Sequence, residues 1–332
     1  MRVLACRLLR AEPHELPAIG WAFAYFFAVL CSYYLLRPVR DALAVEAGRA
    51  ALRWLFTATF VSMVVLVPVF GWLCKRLPRA RLLPAIYAFF ALNILSFSFI
   101  LEKPSFSGTA IFFVWLSVFN LFVVSVFWSF MSDLFDSGQA ARLYGTIAAG
   151  GSCGAIAGPA LAASLSGPLG IRGLLLLSAS LLVVAIVCIA GLSRWSSRHR
   201  RAGDPPAEAP IGGPILAGVR AVLRSRYLLA ICGYLFCYTS LSTALYFEQV
   251  SIVREALPDL GERTRLFAAM DFAVNALTLL LQLFAFSRLA ARLGPKGMLA
   301  VMPLVSLAGF LWLGATPTLL ALVVFGVARR AG

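Results

Sequence analysis

The amino-acid sequence predicts an all-α, polytopic membrane protein. Apolar residues make up 61% of the 332 residues and charged residues only 13%, and the mean hydropathy is +0.89. Ordinary soluble domains carry about a quarter charged residues, whereas roughly 20 apolar residues suffice to cross a ~30 Å hydrocarbon core. Apolar runs of that length follow one another with short breaks and without strand-type alternation, so each is predicted to be a helix.

Nine apolar segments are long enough for complete spans, at 18–37, 52–74, 80–101, 109–132, 140–165, 169–193, 227–247, 266–288 and 298–315. A tenth segment begins at Pro317, but its apolar run would extend only about 18 Å as a helix. We therefore expect nine full spans and part of a tenth, with two more spans encoded after Gly332. In that arrangement Arg329 and Arg330 would lie near mid-membrane and face an internal cavity.

The positive charge of the chain follows the predicted topology. The net charge is +15, and an N-terminus on the cytoplasmic side places 18 Lys and Arg residues inside and nine outside, with Arg329 and Arg330 unassigned. This bias fits the positive-inside rule, so we interpret the cations as a topology signal and not as a surface for nucleic acid. The predicted organisation, in a bacterial inner membrane, is a cytoplasmic interfacial segment at 1–17, a six-helix half at 18–193, a cytoplasmic linker at 194–226 and a partial second half at 227–332.

Residues typical of enzymes and metal sites are scarce. The seven cysteines are scattered without ligand spacing and are interpreted as small packing residues. His14 and His199, the two histidines, fall in polar stretches, so no zinc site or histidine-based catalytic group can be assembled within the spans. We expect no metal, no cofactor and no enzymatic activity.

Two short sequences are repeated in step. The sequence VRDAL at 39–43, after the first span, recurs as VREAL at 253–257, and Arg76-Leu77 recurs as Arg292-Leu293. The two offsets, 214 and 216 residues, agree within two. Duplicated halves that rock about a central site are the usual architecture of a secondary transporter. Six-plus-six helices joined by a cytoplasmic loop are the plan of the major facilitator superfamily, which this chain resembles.

Charged residues at membrane depth are the candidate binding residues, because charge is expensive in lipid unless it lines a cavity or is paired. On a helix Tyr33, Arg37 and Arg40 share a face, and Asp41 lies four residues from Arg37. For Arg37 and Asp41 two interpretations stay open: substrate binding, or mutual neutralisation at the membrane interface. Arg40 is assigned to substrate binding because Arg254 is its copy in the second half.

Polar residues recur at helical spacing in two further spans. In the eighth span four of them, at steps of four, three and four, keep one helical face polar and directed at a water-filled pathway: Asp271, Asn275, Thr278 and Gln282. Asn120 belongs to a looser polar face of the fourth span. We assign Asp271, Asn275, Gln282 and Asn120 to substrate binding.

Residues with a predicted structural role lie near the turns. Asp133 and Asp136 follow the fourth span, and we interpret them as a gate that pairs with Lys75 and Arg76. Those two cations belong to a basic turn at 71–81 that resembles the superfamily's loop between its second and third spans.

The fifth span carries Gly145, Gly154 and Gly158-Pro159, a spacing that resembles a motif of antiporter branches. Glycines allow close helix packing and a proline bends a helix. We therefore expect a structural role for Gly154, Gly158 and Pro159.

The first span also resembles a remote bacterial branch of the ATP/ADP antiporter (nucleotide transporter) family. Its motif, Leu-Arg, two residues, then Lys-Asp, is similar to LRPVRD at 36–41, which puts Arg40 at the position of the family's phosphate-binding lysine. Segments 120–142 and 269–272 are similar to the family's fourth-to-fifth-span region and to the start of its eighth span. The chain departs from the family at two positions. Leu116 stands where the family has an acidic residue in its fourth span, and the acidic residue expected in the seventh span does not align, because Glu248 lies nearby but out of register.

These resemblances imply an antiporter of an anionic, phosphate-bearing solute such as a nucleotide, in NTP/NDP exchange. Arg37, Arg40 and Arg254 would bind the anion, because planar guanidinium donors engage two phosphate oxygens at once. The expected partners are ATP or ADP, the lipid bilayer and a coupling proton. The alternatives are a proton-coupled exporter with Asp271 as proton carrier, and a non-transporting membrane scaffold.

Overall fold

The computed structural model describes residues 12–76, 79–102, 105–199 and 222–331, and its described residues are almost entirely helical. The main helices in chain order are α1 Leu16–Ala47, α2 Arg49–Arg76, α3 Arg79–Ile100, α4 Phe106–Leu134, α5 Ser137–His199, α6 Arg226–Ala256, α7 Leu260–Leu280, a π-helical segment at Leu281–Ala285, α8 Phe286–Ala315 and α9 Leu319–Ala331. The predicted all-α class is confirmed for this part of the chain.

Seven helices within the described ranges are long and apolar enough to cross a membrane. One of them, with 62 residues at Ser137–Arg198, contains both the fifth and the sixth predicted spans. The predicted ninth span corresponds to a shorter apolar helix, Leu299–Ala315, and the start of the predicted tenth to α9. The fold is that of a multi-pass membrane protein.

α5 folds back on itself at Gly170, whose φ of 61° lies in the left-handed region that favours glycine. Both termini of α5 contact the start of α1. Arg142 pairs with Glu15 at 3.2 Å, and Trp195 Nε1 donates to the carbonyl oxygen of His14 at 2.9 Å. The two arms of α5 are therefore antiparallel, and we call this end of the bundle the Glu15 end.

The opposite end, which we call the Gly48 end, contains the α1–α2 turn at Gly48. Here Arg263, in the first turn of α7, donates to Glu46 Oε2 at 2.7 Å. Arg49 of α2 pairs with Glu248 of α6 at 3.0 Å. Both ion pairs join the N-terminal half to the C-terminal half.

Several predicted boundaries shift in the structure. α5 continues through His199, so the helix extends into the range assigned to the linker at 194–226. Residues 200–221 of that linker, and residues 1–11 of the predicted interfacial segment, lie outside the described residues. The break between the predicted spans at 266–288 and 298–315 falls within α8, which has non-helical backbone at Gly294 with a φ of 65°.

α1 is the central helix of the N-terminal half and packs directly on the first arm of α5. Three glycines at steps of four face α1, and a Cβ added to each would lie 2.4–2.8 Å from a backbone oxygen: Gly150 at Phe23, Gly154 at Phe27 and Gly158 at Cys31. Gly154 and Gly158, two of the residues with a predicted structural role, lie at this contact, and that the protein depends on them stays a prediction. Gly145 has open space around it, and the non-helical residue of α5 is Gly170 rather than the buried Pro159.

Buried aromatic residues and two hydroxyl groups tie α1 to α3 and α4. Tyr25 donates to Tyr87 Oη at 2.7 Å, and Tyr87 in turn donates to the Val123 carbonyl at 3.1 Å. Phe26 stacks on Phe127 with ring centroids 4.0 Å apart. A second apolar cluster lies toward the Gly48 end and includes residues of both halves, such as Val45, Leu52, Val253 and Phe267.

Candidate functional site

An aspartate of the C-terminal half lies between two arginines from different helices. Asp271 on α7 is 1% exposed, and Arg330 on α9 donates to its Oδ1 through Nη2. On the other side, Nε of Arg37 on α1 lies 3.7 Å from Asp271 Oδ2. Arg37 and Asp271 therefore form an ion pair between the two halves of the protein.

A second ionic group lies one turn further along α1. Nε and Nη2 of Arg40 both donate to Asp41 Oδ1, at 2.9 and 2.7 Å, and Tyr246 of α6 donates to the same oxygen at 3.0 Å. The Arg40 guanidinium lies 5.1 Å from the ring centroid of Phe113 on α4, and its Nη1 lies 3.5 Å from Ser117 Oγ. This group also connects the two halves, through Asp41 and Tyr246.

The face of α1 that carries Tyr33, Arg37 and Arg40 contacts other helices, and its charges are paired in an unexpected way. Tyr33 is buried and packs edge-on against Tyr34, and the Arg37 guanidinium lies 5.8 Å from the Tyr34 ring centroid. The sequence left open whether Arg37 and Asp41 neutralise one another. In the structure Arg37 pairs with Asp271, and Asp41 accepts its hydrogen bonds from Arg40 and Tyr246.

We call Arg37, Arg40, Asp41, Asp271 and Arg330 the charged cluster. Its three arginines outnumber its two aspartates, so it carries one positive charge in excess. Burying charge costs free energy unless the charges are paired and hydrogen-bonded. A cluster with excess positive charge between the two halves is therefore suited to an anionic ligand.

Arg329, beside the cluster on α9, is 2% exposed and bonds to neutral groups of two other helices. Its Nη2 donates to the Tyr238 carbonyl at 2.9 Å and to Ser242 Oγ at 2.7 Å, and its Nε lies 3.3 Å from Ser306 Oγ. Its guanidinium also lies 4.7 Å from the Tyr238 ring centroid. Tyr238, Ser242 and Tyr246 follow at steps of four on α6, so one face of that helix meets both Arg329 and Asp41.

The polar face predicted for the eighth span is divided between different environments. Asp271 belongs to the charged cluster, whereas Asn275 Nδ2 donates to the Asp271 carbonyl oxygen at 2.8 Å. Thr278 Oγ1 donates to the Val274 carbonyl at 2.8 Å, which is a common way for such side chains to satisfy themselves inside helices. Gln282 is exposed and lies in the π-helical segment. The change of helical period there ends the common face expected from uniform spacing.

Arg254 does not join the charged cluster, although it is the repeat copy of Arg40. It is exposed in the last turn of α6, and its Nη1 lies within 2.6 Å of where a Cβ on Gly48 would be. The reason is helix length. α6 ends two residues after Arg254, whereas α1 continues seven residues beyond Arg40, which places Arg40 roughly 10 Å inside its helix end at ~1.5 Å per residue.

The predicted gate is described only in part. Asp136 Oδ1 accepts from the Gln139 amide at 2.8 Å and Gln139 Oε1 accepts from the Asp136 amide at 3.2 Å, a reciprocal cap at the start of α5. Asp133 is exposed. The side chains of Lys75 and Arg76 lie outside the described residues, so their pairing with the two aspartates stays a prediction.

Among the other predicted residues, Asn120 is half-buried on α4, one turn beyond Ser117. Tyr246 and Arg330 were not among the predicted binding residues, although Arg330 was expected to face an internal cavity. Arg330 had a signal, since two adjacent arginines in an apolar segment are costly in lipid, but Tyr246 had none that distinguishes it from other aromatic residues. The described residues contain no group of three His, Cys, Asp or Glu side chains that could hold a metal ion.

The described helices form the bundle of a multi-pass membrane protein, with ion pairs between its N-terminal and C-terminal parts. The family model described as Major Facilitator Superfamily matches residues 21–330. The chain belongs to that superfamily, as its sequence predicted, and superfamily membership indicates a secondary transporter. No match was found among curated proteins.

Proposed function

We propose that the protein is an antiporter that exchanges anionic, phosphate-bearing solutes, such as nucleotides, across the bacterial inner membrane. The observation that carries this proposal is the charged cluster, in which two buried aspartates and three partly buried arginines come together from both halves. A transporter needs its binding residues where the two halves meet, because the site must face each side in turn.

The composition of the cluster favours a phosphate group over a neutral or cationic solute. Arginine presents planar, paired N–H donors that fit two oxygens of one phosphate. A multiply charged anion is also attracted to excess positive charge more strongly at low dielectric than in bulk water. The resemblance of residues 36–41 to a nucleotide transporter motif supports a nucleotide as the carrier of that phosphate.

The test is counterflow into liposomes that contain the purified full-length protein. We expect radiolabelled ATP, ADP or inorganic phosphate to enter only when the liposomes are preloaded with an unlabelled phosphate-bearing solute. Arg37→Gln and Arg40→Gln should each reduce uptake at least about tenfold, because each removes one positive charge that attracts the anion. Arg172→Gln is the matched control, because Arg172 pairs with exposed Glu102 within one half.

Two results would contradict the proposal. If none of the three compounds enters faster than it enters protein-free liposomes, the protein does not transport these phosphate-bearing solutes. Uptake that needs an imposed pH gradient and no internal solute would instead support the proton-coupled exporter, with Asp271 as the carrier.

The proposal includes an orientation in which the Glu15 end is cytoplasmic, because Arg142 and Arg194, two of the cations assigned to the cytoplasmic side, lie in the parts of α5 at that end. A single cysteine at position 204, in a cysteine-free background, should react with a membrane-impermeant reagent that is added to the cytoplasmic side. It should not react with reagent that is added outside. Reaction of Asp204→Cys from outside in intact cells would invert this orientation.

A further inference from the structure

We propose that Arg37 and Arg330 form a two-sided clamp for the phosphate group of the solute, and that Asp271 occupies this clamp when no solute is bound. The inference rests on the proposed function and deepens it, since it assigns the C-terminal half's contribution to Arg330 and not to Arg254. It also gives Asp271 the role of an internal anion that competes with the solute.

The geometry places one guanidinium on each oxygen of the Asp271 carboxylate. Arg330 Nη2 donates to Oδ1, and Arg37 Nε lies 3.7 Å from Oδ2. The two arginines come from α9 and α1, so one small anionic group already bridges cations of both halves. A phosphate group is larger than a carboxylate, carries more oxygens and can carry two negative charges, so it can accept from both guanidinium groups at once.

The Arg37 side of this arrangement is incomplete. Asp271 Oδ2 and Arg37 Nε are both buried, and neither has a hydrogen-bond partner among the described residues. Their separation of 3.7 Å exceeds hydrogen-bonding distance, and leaving buried polar atoms unsatisfied is unfavourable. An anion with additional oxygens between Arg37 and Arg330 would supply the acceptor that Asp271 fails to provide.

Arg40 differs from Arg37 because its donors are already engaged. Two of its nitrogens bond to one oxygen of its sequence neighbour, Asp41, which Tyr246 also contacts. A solute would have to break three hydrogen bonds to replace Asp41 there, but only one described hydrogen bond, from Arg330, to replace Asp271. Arg40 therefore supplies long-range attraction, and the clamp is the exchangeable position.

Displacement of Asp271 would also couple binding to movement of the halves. Asp271 and Arg330 both belong to the C-terminal half, so their contact survives when the halves separate, whereas Arg37 crosses between halves. In the structure Asp271 links Arg37 of α1 to Arg330 of α9. When a solute takes the place of Asp271, the solute becomes the link between these two helices. Binding free energy that differs between two conformations is what shifts their populations.

The test measures binding of ATP and of inorganic phosphate to the purified full-length protein, together with its thermal unfolding temperature at increasing ligand concentration. Arg37→Gln and Arg330→Gln should each weaken binding about tenfold to a hundredfold. Asp271→Asn should do the opposite and tighten binding about tenfold, because the competing carboxylate is removed. The same variant should unfold at a lower temperature without ligand and gain more from ligand than the wild type.

Arg49→Gln is the matched control, because Arg49 also forms an ion pair between halves but is exposed at the Gly48 end. It should bind both ligands like the wild type. If Arg330→Gln unfolds because Asp271 is left without its partner, the double variant Asp271→Asn/Arg330→Gln removes both members of the pair. It should regain folding and still bind more weakly than Asp271→Asn alone.

The failures are distinguishable. A wild-type protein that binds neither ligand removes the proposed function and the clamp together. A second outcome leaves the proposed function standing and overturns the clamp. In it the wild type binds ligand, and either Arg330→Gln binds as tightly as the wild type or Asp271→Asn binds as weakly as Arg37→Gln. In that case Asp271 is a structural partner or a direct ligand and not a competitor.

Discussion

Arg40 is held by Asp41 and Tyr246 before any solute arrives, and this determines what its removal should do. Arg40→Ala deletes the positive charge and leaves the buried Asp41 with Tyr246 alone, so we expect exchange to fall at least about a hundredfold. Arg40→Lys keeps the charge without the paired donors and should retain partial activity. The measurement is nucleotide counterflow in liposomes, with expression and membrane insertion checked by immunoblot.

Arg254→Ala provides the comparison for Arg40, because the two arginines are sequence copies with different burial. The exposed position of Arg254 leads us to expect a much smaller loss of exchange than at Arg40. Equal losses of exchange in the two alanine variants would mean that position in the sequence repeat predicts function better than burial of the arginine does.

Glu15 offers a residue-scale prediction about pH at the Glu15 end. Burial of its carboxyl raises its pKa, but hydrogen bonds from the Glu12 amide, Gln139 and Arg142 outweigh this and lower the pKa below its ordinary value. Because the folded-state pKa is depressed, the stabilisation is present above the unfolded pKa of about 4.3 and is lost as pH falls through the folded pKa. Unfolding temperature should therefore drop between about pH 5 and 3 more steeply in the wild type than in Glu15→Gln. Parallel profiles would show that these hydrogen bonds add no net stability.

Single residues also show the limit of what the sequence could predict. Charge in an apolar segment marks Arg37, Arg40 and Asp271 as costly to bury, and all three form ion pairs, with Asp271 buried and the two arginines partly buried. Their partners are another matter, because Arg37 pairs with a residue more than 200 positions away. Such a pairing depends on how α1, α7 and α9 pack, and no local pattern in one sequence encodes it.

At the scale of elements, the contact between α1 and α5 depends on the absence of side chains. Gly154→Ala would put a Cβ 2.4 Å from the Phe27 carbonyl oxygen, so the helix backbones must move apart. We expect it to destabilise the protein by about 1–3 kcal/mol, the usual range for overpacking. Thermal unfolding in detergent, followed by tryptophan fluorescence, measures the change.

Gly145→Ala is the control in the same helix, since a Cβ there meets open space. It should be neutral or stabilising by up to about 1 kcal/mol, because alanine favours the helix more than glycine does. A similar loss of stability in both variants would point to the helix itself rather than to its packing on α1.

Helix positions were predictable from the sequence because each apolar run must satisfy its backbone internally. The sharp turns between helices, and the residues at which helices end, were less predictable from the sequence. A sharp joint such as Gly170 depends on one left-handed residue, and the end of α5 at His199 depends on helix continuing past the apolar run into basic residues. Hydropathy detects only the apolar part of such a helix. For the same reason, hydropathy could not predict that α6 ends two residues after Arg254, or that Arg254 is therefore exposed.

For the whole molecule, the ion pairs at the Gly48 end hold the two halves together. Arg263 is 4% exposed, donates to Glu46, and also bonds to the Leu257 carbonyl at 2.7 Å. We expect Arg263→Gln to destabilise this closed arrangement by about 1–3 kcal/mol, because the Leu257 carbonyl loses its donor and a charge-assisted bond to Glu46 is removed. Arg49→Gln, which removes an exposed pair, should cost no more than about 1 kcal/mol.

The measurement for these two variants is the reactivity of a single cysteine placed at Ala47 in a cysteine-free protein. Opening of the Gly48 end should raise labelling in Arg263→Gln and leave it near the wild-type rate in Arg49→Gln. Equal labelling in all three proteins would mean that the apolar cluster shared by the halves, and not this ion pair, keeps the end closed.

The fold-back of α5 has a consequence for how the chain enters the bilayer during synthesis. Between Arg142 and Arg194 the sequence contains one charged residue, Arg172, which lies just beyond the joint at Gly170. Both arms are apolar and no hydrophilic loop separates them, so we expect them to insert as a single hairpin, with the transfer of one cation as the main electrostatic barrier. Arg142 and Arg194 lie at the two ends of the hairpin, both at the Glu15 end. In the orientation that we propose, with that end in the cytoplasm, neither arginine has to cross the bilayer.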